Sequence, residues 1–556
     1  MAGGQKSLRQ LTRRSFVKGA GAAGLLAGTG LQQVLFPALW RQAGAASLPP
    51  FGLHLQFGSE PAHEMAVSWL TDGAVAHPRA RFGTSPDDLD GMESADTRTY
   101  VDGLSGTEVF TQHALLSRLR PNATYHYEVL HDGADPVRGQ LQTAPSGRSR
   151  FRFTSFGDQS IPDALGSPPT QPWTRYAGLI VPQVEATRPL FHLLNGDLCY
   201  ANVAGREHLR VQTWRSFFNN NTRSARFRPW MPAAGNHENE RLDGRPGADP
   251  FKAYQTYFDL PGSGSAPDFR GLWYAFRIGS ALFVSINNDD VCYQDGGNTY
   301  VRGYSGGAQK AWLEQTLAEA REDDRIDWIV VCMHQVAIST AIPFNGCELG
   351  VRQQWLPLFD RYQVDLVVCG HEHHYERTFP LRGQEGQYRR PVAASHETDQ
   401  IDTRQGTVHM ILGGGGHNNS SFNKYSINGG AFEAEILAPV DPGAQTPPGV
   451  PIPLITPKPR EIATWSPTIL SADPTQSHAR DSGHGYGFAS FDVDPGREPG
   501  GWTTITVRYH RVLDPLNPAD AGKQVEFDAF TLRRRRRDED QDEEEREAGR
   551  KQVVTA

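Results

Sequence analysis

The chain has 556 residues, of which 38% are hydrophobic and 21% are charged. This composition excludes a disordered polyelectrolyte and a membrane protein with many spans, and the length predicts two or more domains. The net charge of −8 argues against a general nucleic-acid binder. Five cysteines in this length are too few for a disulfide scaffold.

Residues 1–45 have the pattern of an export signal. They carry six basic residues and no acid, and Arg13-Arg14 precedes an uncharged stretch over 19–40. Ala43-Gly44-Ala45 then offers a small-residue cleavage site. The paired arginines resemble a twin-arginine signal, so we expect passage through the twin-arginine export machinery, cleavage, and a periplasmic or secreted protein. The alternative is a membrane anchor, but five glycines and two glutamines leave the stretch weakly apolar.

Residues 46–147 predict an all-β domain. Apolar and polar residues alternate in short segments that are separated by turn signals such as Asp72-Gly73 and Pro121-Asn122. This pattern is typical of a β-sandwich. The segments are 53–57, 65–69, 80–82, 109–119, 125–130 and 139–142.

Residues 148–515 predict an α/β domain, because apolar strand-like runs alternate with helical stretches. A Pro/Gly-rich insertion is expected at 414–480, since eight prolines lie between Ala438 and Arg460. Residues 516–556 predict a charged, disordered tail. The expected strands are 151–156, 190–194, 281–287, 327–333, 365–369, 407–412, 486–493 and 503–509, and the expected helices are 174–187, 207–218, 306–322 and 351–361.

Five polar motifs follow strand-like runs of the α/β region. Ligands of open α/β sheets collect at the carboxyl ends of strands, so all five motifs are expected to converge on one crevice. Their carboxylates, imidazoles, amide and phenol are hard to borderline metal ligands, and they supply more donors than one cation needs. The pattern predicts a two-metal site, in which a carboxylate bridges the ions. The motifs are Gly157-Asp158-Gln159-Ser160, Gly196-Asp197-Leu198-Cys199-Tyr200, Gly235-Asn236-His237-Glu238, Val331-Cys332-Met333-His334 and Gly370-His371-Glu372-His373.

The set and order of these motifs resemble the metallophosphoesterases, a calcineurin-like superfamily, and in particular the purple acid phosphatases. Tyr200 is the discriminating position. The preceding β domain resembles the fibronectin type III-like module of that family, notably at 65–71 and 119–125. The resemblance implies a metallophosphoesterase fold, a four-layer β-sandwich flanked by helices, that follows an all-β sandwich domain.

The resemblance also implies a ligand assignment. Asp197 would bridge the two ions, and the hard phenolate of Tyr200 favours Fe(III) in the first site. The second ion would be divalent, and the ligands suit Fe, Zn or Mn equally. The first ion would be bound by Asp158, Tyr200 and His373, and the second by Asn236, His334 and His371.

The implied activity is that of an exported phosphomonoesterase, in which a metal-bound hydroxide attacks phosphorus. Asn236 and His237 would contact the substrate, and His237 would bind the phosphoryl group or protonate the leaving oxygen. The alternatives are a phosphodiesterase or nucleotide hydrolase on the same metals, and a non-catalytic binding protein. The expected partner is a small phosphoester. Signal cleavage would change the net charge from −8 to −14, so no stable membrane association is expected.

Two departures from the family pattern bear on these expectations. Ser160 stands where the family usually has glycine, and a positive φ there would strain a serine. The stretch 341–347 contains none of the histidines that family members often place beyond the Val-x-x-His motif, so different substrate contacts are expected. Separately, Cys292 and Cys347 fall in expected loops, and the sequence leaves open whether they pair.

Overall fold

The structure is a computed structural model that describes most of the chain beyond residue 47. The predicted signal over 1–45 and Cys347 lie outside the described residues. Within the described part, no helix combines the length and the apolar character that a membrane crossing needs. The described residues are 48–162, 174–202, 207–240, 250–293, 301–339, 341–342, 348–417, 422–423, 427–428, 432–437, 460–465, 468–470, 486–513, 519–520 and 522–538.

The N-terminal region forms two antiparallel four-stranded sheets, with orders β1-β2-β6-β5 and β4-β3-β7-β8. Trp69 and Tyr127 are fully buried in its core, which confirms the predicted all-β fold. β4 and β5 were not predicted, because their side chains are mostly polar and exposed and so carry no apolar alternation. The strands are β1 (Phe51–Phe57), β2 (Met65–Thr71), β3 (Arg79–Gly83), β4 (Gly91–Ser94), β5 (Asp96–Val101), β6 (Glu108–Leu116), β7 (Thr124–Leu130) and β8 (Val137–Gln142).

Two mixed sheets form the core of the region that follows. The seven-stranded sheet has the order β11-β10-β9-β27-β28-β29-β20, and β9, β10 and β11 are parallel neighbours in it. The parallel strands β10 and β11 are buried along their whole length, whereas burial alternates along β28. Its strands are β9 (Phe151–Phe156), β10 (Phe191–Asn195), β11 (Trp230–Ala233), β20 (Gln400–Asp402), β27 (Gly487–Asp494), β28 (Trp502–Val512) and β29 (Gln524–Arg535).

The eight-stranded sheet has the order β12-β13-β14-β16-β21-β17-β26-β23, and β13, β14, β16 and β21 run parallel. Every strand predicted over 151–412 is present, with bounds within two residues of those expected. The strands of this sheet are β12 (Tyr274–Ile278), β13 (Ala281–Ser285), β14 (Trp328–Cys332), β16 (Leu366–Cys369), β17 (Tyr375–Arg377), β21 (Val408–Leu412), β23 (Ile427–Asn428) and β26 (Thr468–Leu470).

Short strand pairs and six described helices complete the region. The helix expected over 351–361 is interrupted at Trp355, so it forms two short helices. The strand pairs are β15 (Ala341–Ile342) with β22 (Phe422–Asn423), β18 (Leu381–Glu385) with β19 (Arg390–Ala393), and β24 (Phe432–Leu437) with β25 (Arg460–Trp465). The helices are α1 (Thr174–Ala186), α2 (Arg210–Ala225), α3 (Lys252–Tyr257), α4 (Ala308–Glu322), α5 (Leu349–Gln354) and α6 (Leu356–Arg361).

Aromatic side chains join the two mixed sheets face to face. The ring of Phe283, on β13, lies 5.0 Å from the rings of Phe153 and Phe191, which are on β9 and β10. Perpendicular and stacked aromatic pairs of this kind bury large apolar areas. The packing brings the carboxyl ends of the parallel strands of both sheets to one side. This is the mixed α/β arrangement expected for a metallophosphoesterase fold.

The arginine run at the C-terminus is structured, and the predicted disordered tail is wrong for 524–538. Within this run, β29 continues the seven-stranded sheet between β28 and β20. Arg534 and Arg536 are buried and form ion pairs with Asp365 and Asp538, whereas Arg535 is exposed. Buried and exposed side chains alternate here with the two-residue period of a strand. The sequence does not show this alternation, because the successive residues are all arginines. Residues 539–556 lie outside the described residues.

Candidate metal centre

The five motifs lie at the carboxyl ends of five parallel strands. Asp158, Asp197 and Asn236 follow β9, β10 and β11, which are neighbours in one sheet. His334 and His371 follow β14 and β16, which are neighbours in the other. The strand ends of the two packed sheets therefore bring all five motifs together, as predicted.

The ligand loops adopt an uncommon backbone conformation. Asp158, Asp197, Tyr200 and His371 all have positive φ, between 51° and 73°. Such conformations cost free energy for residues other than glycine, and they persist where the surroundings impose them. A Cβ atom at Gly235 would lie 2.3 Å from Asp197 Oδ1, so only glycine lets these two loops approach so closely.

The first predicted ligand set forms a compact triangle. The Tyr200 hydroxyl donates a 2.9 Å hydrogen bond to Asp158 Oδ1 and lies 2.8 Å from His373 Nε2. The distance from His373 Nε2 to Asp158 Oδ1 is 3.3 Å. The second carboxylate oxygen of Asp158 accepts a bond from the backbone N–H of His371, which ties this set to the loop of the next one.

The second predicted set surrounds the amide oxygen of Asn236. That oxygen lies 3.1 Å from both His334 Nε2 and His371 Nδ1, and the two nitrogens are 3.2 Å apart. Asp197 Oδ2 lies 3.1 Å from His334 Nε2. Ligand atoms of Asp197, His334 and His371 all lie within 4.8 Å of one another, which is close enough to share one cation.

Burial and neighbouring charges shift the pKa values of the residues in the centre. Burial favours the neutral forms of both Asp197 and His334, but their mutual attraction more than offsets it. The pKa of Asp197 is held well below its usual range, and the pKa of His334 is raised to about 10. Because a metal-binding imidazole must be unprotonated, cation binding here would compete with protonation of His334. Burial, together with Asp158 and Asp197, raises the pKa of Tyr200 well above its ordinary value.

Two asparagines that sequence reasoning missed orient the ligands. His334 Nδ1 donates a 2.7 Å bond to the carbonyl of Asn195, which leaves Nε2 facing the other ligands. His237 Nδ1 bonds the side-chain oxygen of Asn202, whose NH2 group donates to the carbonyls of Asn236 and Asn239. Asn202 lies only two residues beyond Tyr200 in the sequence, and this closeness to a predicted ligand could have indicated a role at the site.

Two buried acids, for which no role was predicted, also hold the loops. Glu238 accepts three backbone N–H bonds, from Asp197, Leu198 and Gly235, each 2.8 Å long. Asp289 accepts hydrogen bonds from the side chains of Gln335, which follows His334, and Asn239, which follows the Asn-His-Glu motif. Burial raises the pKa of Asp289 to about 7. Glu238 stands in a recognised motif, but Asp289 lies far from every motif in the chain.

His237 and His373 form the open side of the centre. The His237 side chain is 21% exposed and that of His373 is 11% exposed, whereas Asp158 and His334 are fully buried. His237 Nε2 lies 3.9 Å from Asp197 Oδ2. The His237 imidazole can therefore reach both the ligand set and a molecule entering from solvent.

The two departures from the family pattern have different outcomes. Ser160 adopts φ +66°, so serine bears the strain that glycine would avoid there. Its N–H donates to the carbonyl of Leu198, which holds the strained turn in place. For the stretch 341–347, the structure describes only the backbone of Ala341 and Ile342.

Comparison with known proteins agrees with this geometry. Residues 50–152 match the family model for the N-terminal domain of purple acid phosphatases, and residues 175–375 match that of calcineurin-like phosphoesterases. The chain belongs to the purple acid phosphatase family of metallophosphoesterases.

Relatives of this family span most of the chain. An uncharacterized protein of Mycobacterium tuberculosis is 48% identical over 90% of both chains. The Fe(3+)-Zn(2+) purple acid phosphatase 12 of Arabidopsis thaliana is 26% identical over 59% of this chain and 65% of its own. A solved purple acid phosphatase from yellow lupin (Lupinus luteus) seeds has the same fold, with a TM-score of 0.61 and 21% identity over 88% of this chain and 75% of its own.

As a member of the purple acid phosphatase family, the protein is a metal-dependent phosphoric ester hydrolase. The donor set fits that chemistry, because carboxylate, phenol, amide and imidazole atoms converge within hydrogen-bond distance of one another. Backbone groups also hold Asp158, Asp197 and His334, as preorganised metal ligands are held. The described residues of the centre therefore fit a metal site.

Proposed function

We propose that the protein is an exported phosphomonoesterase with two metal ions in the site described above. The supporting observation is that the seven predicted ligands fall into two sets, with neighbouring donor atoms at 3.3 Å or less in each. One ion needs fewer donors than seven, and a carboxylate such as Asp197 can serve two. A phosphodiesterase or nucleotide hydrolase on the same metals remains the alternative.

The first ion is ferric in this proposal, and the second is divalent: Fe, Zn or Mn. A phenol, a carboxylate and an imidazole form a hard donor set, which suits a highly charged ion. The imidazoles and amide of the second set suit a softer divalent ion. The visible spectrum of the folded protein tests this assignment. Iron bound to the Tyr200 phenolate gives a charge-transfer band that Tyr200→Phe removes, and a colourless protein that retains iron would refute it.

The residues around the ions have separable roles. The ions supply charge neutralisation for the phosphoryl group and an activated water as nucleophile. Asp197 contacts the second ligand set through His334, and its charge also acts on Tyr200 of the first set, whose pKa it helps to raise. Asn202 accepts the Nδ1 proton of His237 and so directs Nε2 towards the open side. From there, His237 can bind a phosphoryl oxygen or give a proton to the leaving oxygen.

Export by the twin-arginine route forms the second part of the proposal. It rests on the sequence pattern of residues 1–45 alone. The route carries folded proteins, so a metal centre can be assembled before export. Fractionation of cells that express the full chain tests the route. Arg13→Lys with Arg14→Lys is expected to retain the protein in the cytoplasm, and unchanged export of this variant would refute the route.

The deciding experiment for the activity compares a chromogenic phosphate monoester with the matching diester. We expect kcat/KM to be higher for the monoester, and both activities to disappear in Asp197→Asn. A preference for the diester would establish the alternative. Hydrolysis of neither substrate by fully metal-loaded protein would refute phosphoester hydrolysis and favour a binding role.

A further inference from the structure

His417 contacts the first ligand set, although no motif includes it. It follows β21 by five residues, and β21 is the next parallel strand after β16 in the eight-stranded sheet. The His417 ring lies flat on the ring of Tyr200, with centroids 3.6 Å apart and planes 9° apart. It also meets the His373 ring edge to face, at 5.0 Å and 87°. His417 therefore touches two of the three ligands of the first set.

The backbone before His417 is built for this close approach. The Gly413–Gly416 turn runs against the Asp158 loop, and the N–H of Gly415 donates to the carbonyl of Gly157. A Cβ atom at Gly415 would lie 2.2 Å from that carbonyl oxygen, so a larger residue would push the turn away. The N–H of His417 then donates a 2.8 Å bond to the carbonyl of Asp158. These contacts fix the His417 backbone relative to the first ligand set.

The stacked ring limits how the Tyr200 side chain can turn. The hydroxyl oxygen, which lies close to both Asp158 Oδ1 and His373 Nε2, is on the axis of the bond to the ring, so rotation about that bond changes the plane of the phenol but not the position of the oxygen. Rotation about the bond to the ring would drive its edge into an imidazole that is only 3.6 Å away. The broad torsional preference of an aromatic side chain would otherwise allow that rotation. His417 also covers one face of the phenol and keeps water from that face.

We propose that His417 is a positioning residue for Tyr200. Its ring fixes the plane of the phenol about the axis that carries the hydroxyl oxygen. That plane would determine how the π electrons of the phenolate overlap with a ferric ion bound to the oxygen, and so the energy and intensity of the charge-transfer band. The stacking contact carries this role, so a flat apolar ring at position 417 suffices for it. This inference rests on the proposed function, because it takes Tyr200 to be a ligand of a ferric ion.

Two variants of the full chain test the role of His417. His417→Ala removes the ring, and His417→Phe keeps a flat ring without the imidazole nitrogens. The measurements are the visible charge-transfer band, the iron content per chain and the thermal unfolding of each loaded protein. We expect His417→Ala to retain iron, with a shifted band of lower intensity per iron. His417→Phe should restore the wild-type band. His396→Ala, which removes an exposed histidine packed on Phe379, serves as the control and should change nothing.

The outcomes distinguish this inference from the proposed function. A wild-type protein that holds iron without a band refutes the ferric Tyr200 site itself. A coloured wild type with an unchanged band in His417→Ala refutes the positioning role alone. If His417→Ala does not fold, His417→Phe decides: a wild-type band supports the stack, and a folded His417→Phe protein with an altered band overturns it. Loss of iron from both folded variants also overturns it, since His417 would then hold the ion.

Discussion

The carboxylate of Glu238 accepts a 2.8 Å hydrogen bond from the backbone N–H of Asp197, which joins two buried acids through the main chain. The same carboxylate binds the N–H groups of Leu198 and Gly235. Glu238 thus ties the loop after β10 to the loop after β11, and each loop carries predicted metal ligands. Burial and the nearby Asp197 raise the pKa of Glu238, and its backbone hydrogen bonds offset part of that shift.

Glu238→Gln is expected to loosen the metal centre. The amide keeps the size of the carboxylate but has one acceptor oxygen, so its NH2 group must face at least one backbone donor. The free energy of unfolding should fall by about 1–3 kcal/mol, the usual cost of leaving a buried donor unpaired. Urea unfolding and metal content per chain measure the two effects. Glu322→Gln, at the exposed end of α4, is the matched control. Full stability and full metal content in Glu238→Gln would contradict this role.

Asp197→Asn is expected to lose metal. The variant keeps the shape of the side chain and an oxygen for the His237 N–H, but it removes the charge that two cations would share. It also removes the charge that raises the pKa of His334, so the apo variant should bind fewer protons at neutral pH. Metal analysis after dialysis, with hydrolysis measured in parallel, checks the prediction. An Asp197→Asn protein that retains both ions would mean that another ligand bridges them.

His237 and Asn202 are expected to act as one unit. His237→Ala should lower kcat roughly 100- to 10,000-fold, the usual contribution of a positioned acid, while metal content stays intact. Asn202→Ala should also lower kcat, because it removes the hydrogen bond that orients the imidazole. The double variant should be no slower than His237→Ala alone. Additive losses would show that Asn202 acts independently of His237, and loss of metal from His237→Ala would show that His237 holds the site.

The ligand motifs were predictable because each lies at the end of an apolar strand, where sequence order and sheet geometry together determine position. The residues that support them were not. Asp289 lies 52 residues beyond His237 and is hydrogen-bonded to the centre through Asn239 and Gln335. The ring of His417 contacts the ring of Tyr200, which lies 217 residues earlier in the chain. No local sequence pattern indicates a contact between residues so far apart. Arg534 looked solvated because its neighbours are also arginines, and only the sheet reveals that it points inward.

The stability of the fold at acid pH is expected to depend on Asp365, which is fully buried at the start of β16. Arg534 and Arg321 each donate a 2.7 Å bond to its carboxylate, and the N–H of Ile329 donates a third. Burial alone would raise the pKa of Asp365, but these two arginines and the hydrogen bonds more than offset it. The pKa therefore lies below its ordinary value of 3.8.

A lowered pKa in the folded state fixes the sign of the effect. The charged form of Asp365 stabilises the fold at pH values above 3.8, and this contribution is lost as the pH falls from 3.8 through the folded pKa. Asp365→Asn should lower the free energy of unfolding at neutral pH by about 3–5 kcal/mol, because the buried Arg534 and the partly buried Arg321 lose their charged partner. The difference between wild type and variant should shrink as the pH falls below 3.8.

Urea unfolding at a series of pH values measures this difference. Chelator treatment of both proteins keeps the metal centre from contributing to the comparison. Asp268→Asn, which changes an exposed acid, should show no such pH dependence. A difference between wild type and Asp365→Asn that stays constant below pH 3.8 would mean that the network stabilises the fold through packing rather than through the charge of Asp365.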